Sequence, residues 1–208
     1  TQAIRVSGII AVPCGVFLFV TGRSCISLLY GANKWSMSLP LSNGSEIIPL
    51  DAASTALSIL AFAVFFISIV STCNSLLNAH GKPQMPFVAV LIGIAVLTVA
   101  EIGLLYTPLG IQAAPLSSVI CYLIVMLIDI YNLRKHCGVK LNIAGMFARP
   151  VLCGLISGGA TYCVYRLTYS LFETPDSRLS SLLILLAAGI TLVITYVASV
   201  LVLRAIKE

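Results

Sequence analysis

An all-α, polytopic membrane protein is the fold class this sequence predicts, on three observations. Of its 208 residues, 59% are apolar and 9% are charged. A soluble domain carries about 25% charged residues, so this chain lacks the groups needed to cover itself in water. The charges are also bunched, and the stretches between them are long enough for the ~20 apolar residues a spanning helix needs. Finally, these runs are too long for the strands of about ten residues that build a membrane barrel. A helix is the only other structure that satisfies every backbone group inside lipid. The same composition excludes a water-soluble enzyme, a disordered tail and a nucleic-acid binder.

Six spans follow in order along the chain. The first is Ala3 to Val20, with Arg5 near its start and a kink expected at Pro13, between Gly8 and Gly15. Residues 31–50 hold Gly31, Pro40, Asn43-Gly44 and Pro49, and read as a long loop containing a short surface segment on the outer face. The second span runs from Ala52 to about Leu77, with no charge between Asp51 and His80. Gly81-Lys82-Pro83, followed by Pro86, reads as a tight helix–helix turn, since Gly ends helices and Pro cannot continue them. The third span starts near Met85 and reaches Leu105. Thr107-Pro108-Leu109-Gly110 marks the next turn. The fourth runs from Ile111 to about Asn132. The fifth starts at Pro150, a plausible first helical residue, and extends to about Leu171. The sixth lies between Arg178 and Arg204. Because the chain opens on Thr1 and enters a helix at once, with no basic leader, further membrane helices are expected upstream.

The net charge of +5 reports orientation. Arg5, Lys82, Arg134, Lys135, Lys140, Arg149, Arg204 and Lys207 fall on one side. Arg23, Lys34, Arg166 and Arg178 fall on the other, together with Glu46, Asp51, Glu173 and Asp176. The positive-inside rule then puts both termini in the cytoplasm. Trp35, Tyr30 and Tyr106 suit an outer interfacial belt.

Several segments resemble a known family. They are Ala3-Ile4-Arg5-Val6 through Pro13-Cys14-Gly15 to Leu29-Tyr30-Gly31, then Leu76-Leu77-Asn78-Ala79-His80-Gly81-Lys82-Pro83-Gln84-Met85-Pro86. Leu109-Gly110-Ile111-Gln112-Ala113-Ala114-Pro115 follows, leading to Cys121-Tyr122 and Asn132-Leu133-Arg134-Lys135. In order and spacing they resemble the polysaccharide-biosynthesis and stage V sporulation protein B branch of the multidrug/oligosaccharidyl-lipid/polysaccharide exporter superfamily. MurJ-type lipid II flippases are close relatives. The resemblance departs at Ala113-Ala114, where Gly-Ala is common, and at Glu101, where a neutral polar residue is expected.

That resemblance implies a transporter of about fourteen helices in two lobes plus a terminal hairpin, moving cargo by alternating access. Residues 1–138 would be four helices of an incomplete C-terminal lobe and residues 139–208 the hairpin. The N-terminal helices of the same protein would be partners. The implied cargo is a lipid-linked oligosaccharide or peptidoglycan precursor of the undecaprenyl pyrophosphate type, and the implied place is the bacterial cytoplasmic membrane. The alternative is a cation-coupled multidrug exporter of the same superfamily, which needs membrane-buried carboxylates.

The candidate site residues are few. Arg5 either snorkels to headgroups or pairs with a pyrophosphate, which suits a guanidinium fork. Asn74 and Asn78, four apart on one helix face with Ser75 beside them, are expected to face protein or a hydrated cavity rather than lipid. Glu101 and Asp129 lie near span ends and read as interfacial anchors, with a cavity-lining or ion-coupling role as the other reading. Gly154 and Gly158 form a G-x-x-x-G in the fifth span, expected to pack on the sixth through Gly189 and Ala187-Ala188. The seven cysteines include no C-x-x-C pair and read as small hydrophobes. With no nucleophile, triad or phosphate loop, no catalytic residue, metal site or cofactor is expected.

Overall fold

The computed structural model describes residues 2–30, 39–40, 46–47, 49–107, 112–137, 143–171 and 178–202. Among them are six helices: α1 (Gln2–Tyr30), α2 (Pro49–Ala79), α3 (Gln84–Leu105), α4 (Ala113–Cys137), α5 (Ile143–Leu171) and α6 (Arg178–Val202). Between α1 and α2, a two-residue strand, Leu39–Pro40, pairs antiparallel with Glu46–Ile47. The rest of that loop, the turn at 108–110 and the C-terminal residues 203–208 lie outside the described residues.

Five of the six helices are long and apolar enough to cross a membrane; α5 is the exception among the described residues. It dilutes its leucines with Gly158, Gly159, Tyr162, Arg166 and Tyr169. Its start also differs from the expectation. Pro150 is its eighth residue, not its first, and is fully buried. A proline inside a membrane helix forfeits one backbone bond, which neighbouring helices can compensate. Helix α1 likewise runs on to Tyr30, past Val20, and carries Arg23 to an ion pair with Asp51 at the start of α2.

The chain divides into two compact units. One comprises residues 1–15 and 59–151, the other residues 16–58 and 152–208.

In the first unit, a buried cluster joins Ile4 of α1, Ile69, Cys73 and Leu77 of α2, and Ile130 and Leu133 of α4. A second joins Val70 of α2, Ala89 of α3, and Cys121 and Val125 of α4. The four-residue spacing of Ile69, Cys73 and Leu77 makes them one helical stripe. Close approach is built from small residues. A Cβ at Gly15 would stand 3.0 Å from the carbonyl oxygen of Ala61, and one at Gly93 would collide with Val125. The Cys121 thiol donates to the Gly93 carbonyl at 3.1 Å, and the Ser7 and Ser68 hydroxyls meet at 2.6 Å. Lipid offers no hydrophobic drive between helices, so such contacts must supply the association.

The second unit is more polar inside than out. Helix α5 buries Cys153, Gly154, Ser157, Thr161 and Tyr165, and exposes Leu155, Ile156 and Leu167. Thr21, Ser24 and Ser27 of α1 are buried to the same degree. In water that arrangement would be inside out. In hydrocarbon the apolar face is the solvated one, and hydroxyls are kept inside where they find acceptors. Thr161 donates to the Ser157 carbonyl at 2.8 Å, and Thr21 to the Phe17 carbonyl at 2.7 Å.

For Gly158 the neighbour differs from the α6 partner expected for the G-x-x-x-G. A Cβ at Gly158 would stand 2.9 Å from Val16 of α1, and one at Gly189 of α6 would stand 3.6 Å from Phe17 of α1. Both glycines therefore receive α1. Spacing identified the small face of α5 but carries no information about which helix fills it.

Candidate functional site

The turn between α2 and α3 ends one helix and starts the next within four residues. Gly81 adopts φ +71°, a left-handed conformation that costs a glycine little. Its N–H bonds the Asn78 carbonyl at 3.0 Å and the Lys82 N–H bonds the Leu77 carbonyl at 3.1 Å, closing a Schellman motif. The expected turn chemistry is present in full. The motif places the exposed His80 and the half-buried Lys82 at the end of the helix pair, and Lys82 and Lys135 both act electrostatically on His136 at the end of α4. With Arg134, also exposed, they make one basic end of the first unit; Lys135 lies over the Tyr131 ring, 5.6 Å from its centroid.

Asp129 departs from the interfacial reading and not from the other one. It is fully buried, with neither carboxylate oxygen hydrogen-bonded among the described residues. An interfacial anchor would be exposed. Two facts move it inside. Helix α4 continues eight residues beyond it, to Cys137. In addition, positions 125, 129 and 133 share one face, of which Val125 and Leu133 are core. The Cys73 thiol of α2 lies near the Asp129 carboxyl group.

The two asparagines have different surroundings. Asn74 is half-buried, and its side-chain oxygen is buried without a hydrogen-bond partner among the described residues. Asn78 is exposed at the end of α2. Ser71, Ser75 and Asn78 form an exposed polar stripe on a helix whose other exposed residues include Phe62 and Ile67. Arg5 follows Ile4, which is locked in the first core cluster, and is itself half-buried. Glu101 is half-buried on α3, four residues before the helix ends at Leu105. Gly154 is buried, and Gly158 meets α1 as described. The core therefore brings the neighbours of Arg5, Asn74 and Asp129 together through Ile4, Cys73 and Ile130. Glu101 and Asn78 stand apart from that cluster.

Sequence reasoning missed three relationships. The Arg23–Asp51 ion pair was signalled by opposite charges flanking one loop. The buried Ser24–Tyr165 hydrogen bond, 3.1 Å across 141 residues, had no local signal. Cys73 looked like any other small apolar residue until Asp129 was placed beside it.

Long helices that bury glycines, hydroxyls and a carboxylate while exposing leucine and phenylalanine define a polytopic membrane protein of the helical class. Comparison supplies the family: the model of the lipid II flippase MurJ family matches residues 1–177, and the chain belongs to that family. No curated protein and no solved structure matches it. The family's members are transporters in the membrane, in line with the superfamily resemblance of the sequence motifs.

Proposed function

We propose that the full-length protein flips a lipid-linked peptidoglycan or oligosaccharide precursor, of the undecaprenyl pyrophosphate type, across the bacterial cytoplasmic membrane. The observation that carries this reading is the family match over residues 1–177. Residues 1–138 would then serve as helices of the C-terminal lobe and 139–208 as the terminal hairpin, joined by the protein's own N-terminal helices.

The chain's own chemistry supports it. The polar stripe of Ser71, Ser75 and Asn78 is costly against lipid and suits the wall of a hydrated cavity. Arg5 offers a planar fork that matches two phosphate oxygens at once. The basic end formed by Lys82, Arg134 and Lys135 attracts the anionic headgroup and belongs on the cytoplasmic side, with both termini. Flipping needs no bond made or broken: two lobes rock around the headgroup while its tail stays in lipid. The test is rescue of a bacterium depleted of its lipid II flippase by the full-length gene. Restored growth and cell shape support the reading; lysis at normal protein level in the membrane refutes it.

A further inference from the structure

We propose that Asp129 is a proton-binding site of the membrane interior: its carboxyl group is a neutral acid in the conformation described, and it releases the proton when α4 moves it to water. The link to transport rests on the function proposed above; the protonation does not.

Asp129 is fully enclosed and neither oxygen has a hydrogen-bond partner among the described residues. Val125 and Leu133 lie one turn away on each side of it. Ile4, Ile69, Cys73, Leu77 and Ile130 form the adjoining core. A carboxylate ion in such apolar walls loses its hydration and gains nothing in return, whereas a neutral carboxylic acid is tolerated.

The ionisable groups on the elements around it do not supply a substitute. Helix α2 contributes the Cys73 thiol. Helix α1 contributes Arg5, beside Ile4, and α3 contributes Lys82 at its entry and Glu101 near its end. Along α4 itself lie Cys121, two turns before, and the exposed Arg134, five residues after. None of these hydrogen-bonds an Asp129 oxygen. Asn74, next to Cys73, adds a buried side-chain oxygen that also lacks a donor. A proton on Asp129 converts one of its two acceptor oxygens into a donor. A metal cation would need more oxygen ligands than one carboxylate and one amide provide.

Release is a simple step. The acid O–H bond breaks, its electron pair stays on the carboxylate oxygen, and the proton passes to water. Arg134 and Lys135, five and six residues along the same helix, stand at the exposed end where the new anion would emerge. Each conformational cycle could then carry one proton.

The experiment uses the full-length protein in native membranes. Dicyclohexylcarbodiimide, an apolar reagent, adds to protonated carboxyl groups in apolar surroundings. The expected result is an adduct on Asp129, located by peptide mass spectrometry, that declines as pH rises and is insensitive to sodium chloride. Asp129→Asn should reach the membrane in wild-type amount without that adduct. An Asp129 that stays unmodified while Glu101 reacts overturns the proposal. So does labelling that sodium chloride suppresses at constant pH, which marks a cation site. Flipping by the wild type should depend on pH and that by Asp129→Asn should not; equal pH profiles remove the coupling. Labelling needs no cargo, so it remains interpretable if the wild type flips nothing, an outcome that counts against the proposed function instead.

Discussion

Gly158 of α5 faces Val16 of α1, and a Cβ at Gly158 would stand 2.9 Å from the valine side chain. The contact is with the far end of a branched side chain, not with backbone. Valine is β-branched and stiff at χ1, so Gly158→Ala should need a small shift of the helices themselves, at a cost below that of a larger group. Gly158→Leu overpacks the contact and should destabilise the protein by about 1–3 kcal/mol. Thermal unfolding in detergent measures the difference. Cysteines at positions 16 and 158 should also crosslink readily, and a pair joining position 158 to α6 should not. The reverse pattern would return α6 as the partner of the glycine.

A second prediction concerns the hydroxyl pair that ties α1 to α5. Ser24 and Tyr165 meet at 3.1 Å in a buried position. Hydrogen bonds between membrane helices are worth about 0.6 kcal/mol on average, with a ceiling near 1.7 kcal/mol. Tyr165→Phe and Ser24→Ala should each cost an amount of that order, and the double variant little more than either. A fully additive double-mutant cycle would mean that the two hydroxyls do not interact.

At the turn between α2 and α3 the strain is backbone alone, since a Cβ at Gly81 meets nothing within 4 Å. Gly81→Ala should cost about 1–2 kcal/mol through its positive φ, and Gly81→Asn distinctly less. Unfolding measurements on the two variants give the ranking directly. Equal stability for Ala and Asn would show that the turn is free to adopt another conformation.

Helices were legible in the sequence because charge is so sparse that each uncharged run stands out. The Gly81 turn was legible because a left-handed cap needs a particular residue. Helix ends were less so. Arg23 looked like a terminus, but the ion pair with Asp51 lets α1 continue, and that pairing is a property of two helices together. Of the two readings of Asp129, the interfacial one gave way for a similar reason. Distance along the chain to Arg134 suggested an interface, whereas the face of α4 on which it sits decides its burial. The G-x-x-x-G in α5 told that a helix approaches closely and left its identity to tertiary structure. Arg5, Asn74 and Asp129 were readable as unusual residues; that their neighbours share one core was not.

Orientation is tested by labelling. In whole cells, an impermeant thiol reagent should fail to reach a cysteine at position 140 and should reach one at position 34, following the basic bias of the connections. Native cysteines would first be replaced by serine or alanine. Labelling at 140 from outside reverses the assigned sides.

The most direct measurement is flipping itself. Purified full-length protein is placed in liposomes whose outer leaflet carries a fluorescent undecaprenyl pyrophosphate-linked sugar, and loss of the label to an external quencher is followed over time. The expected result is passage to the inner leaflet by the wild type and markedly slower passage by Arg5→Lys, in which a bidentate fork becomes a point charge. A wild-type protein that leaves the labelled lipid in the outer leaflet, at a rate equal to empty liposomes, would contradict it.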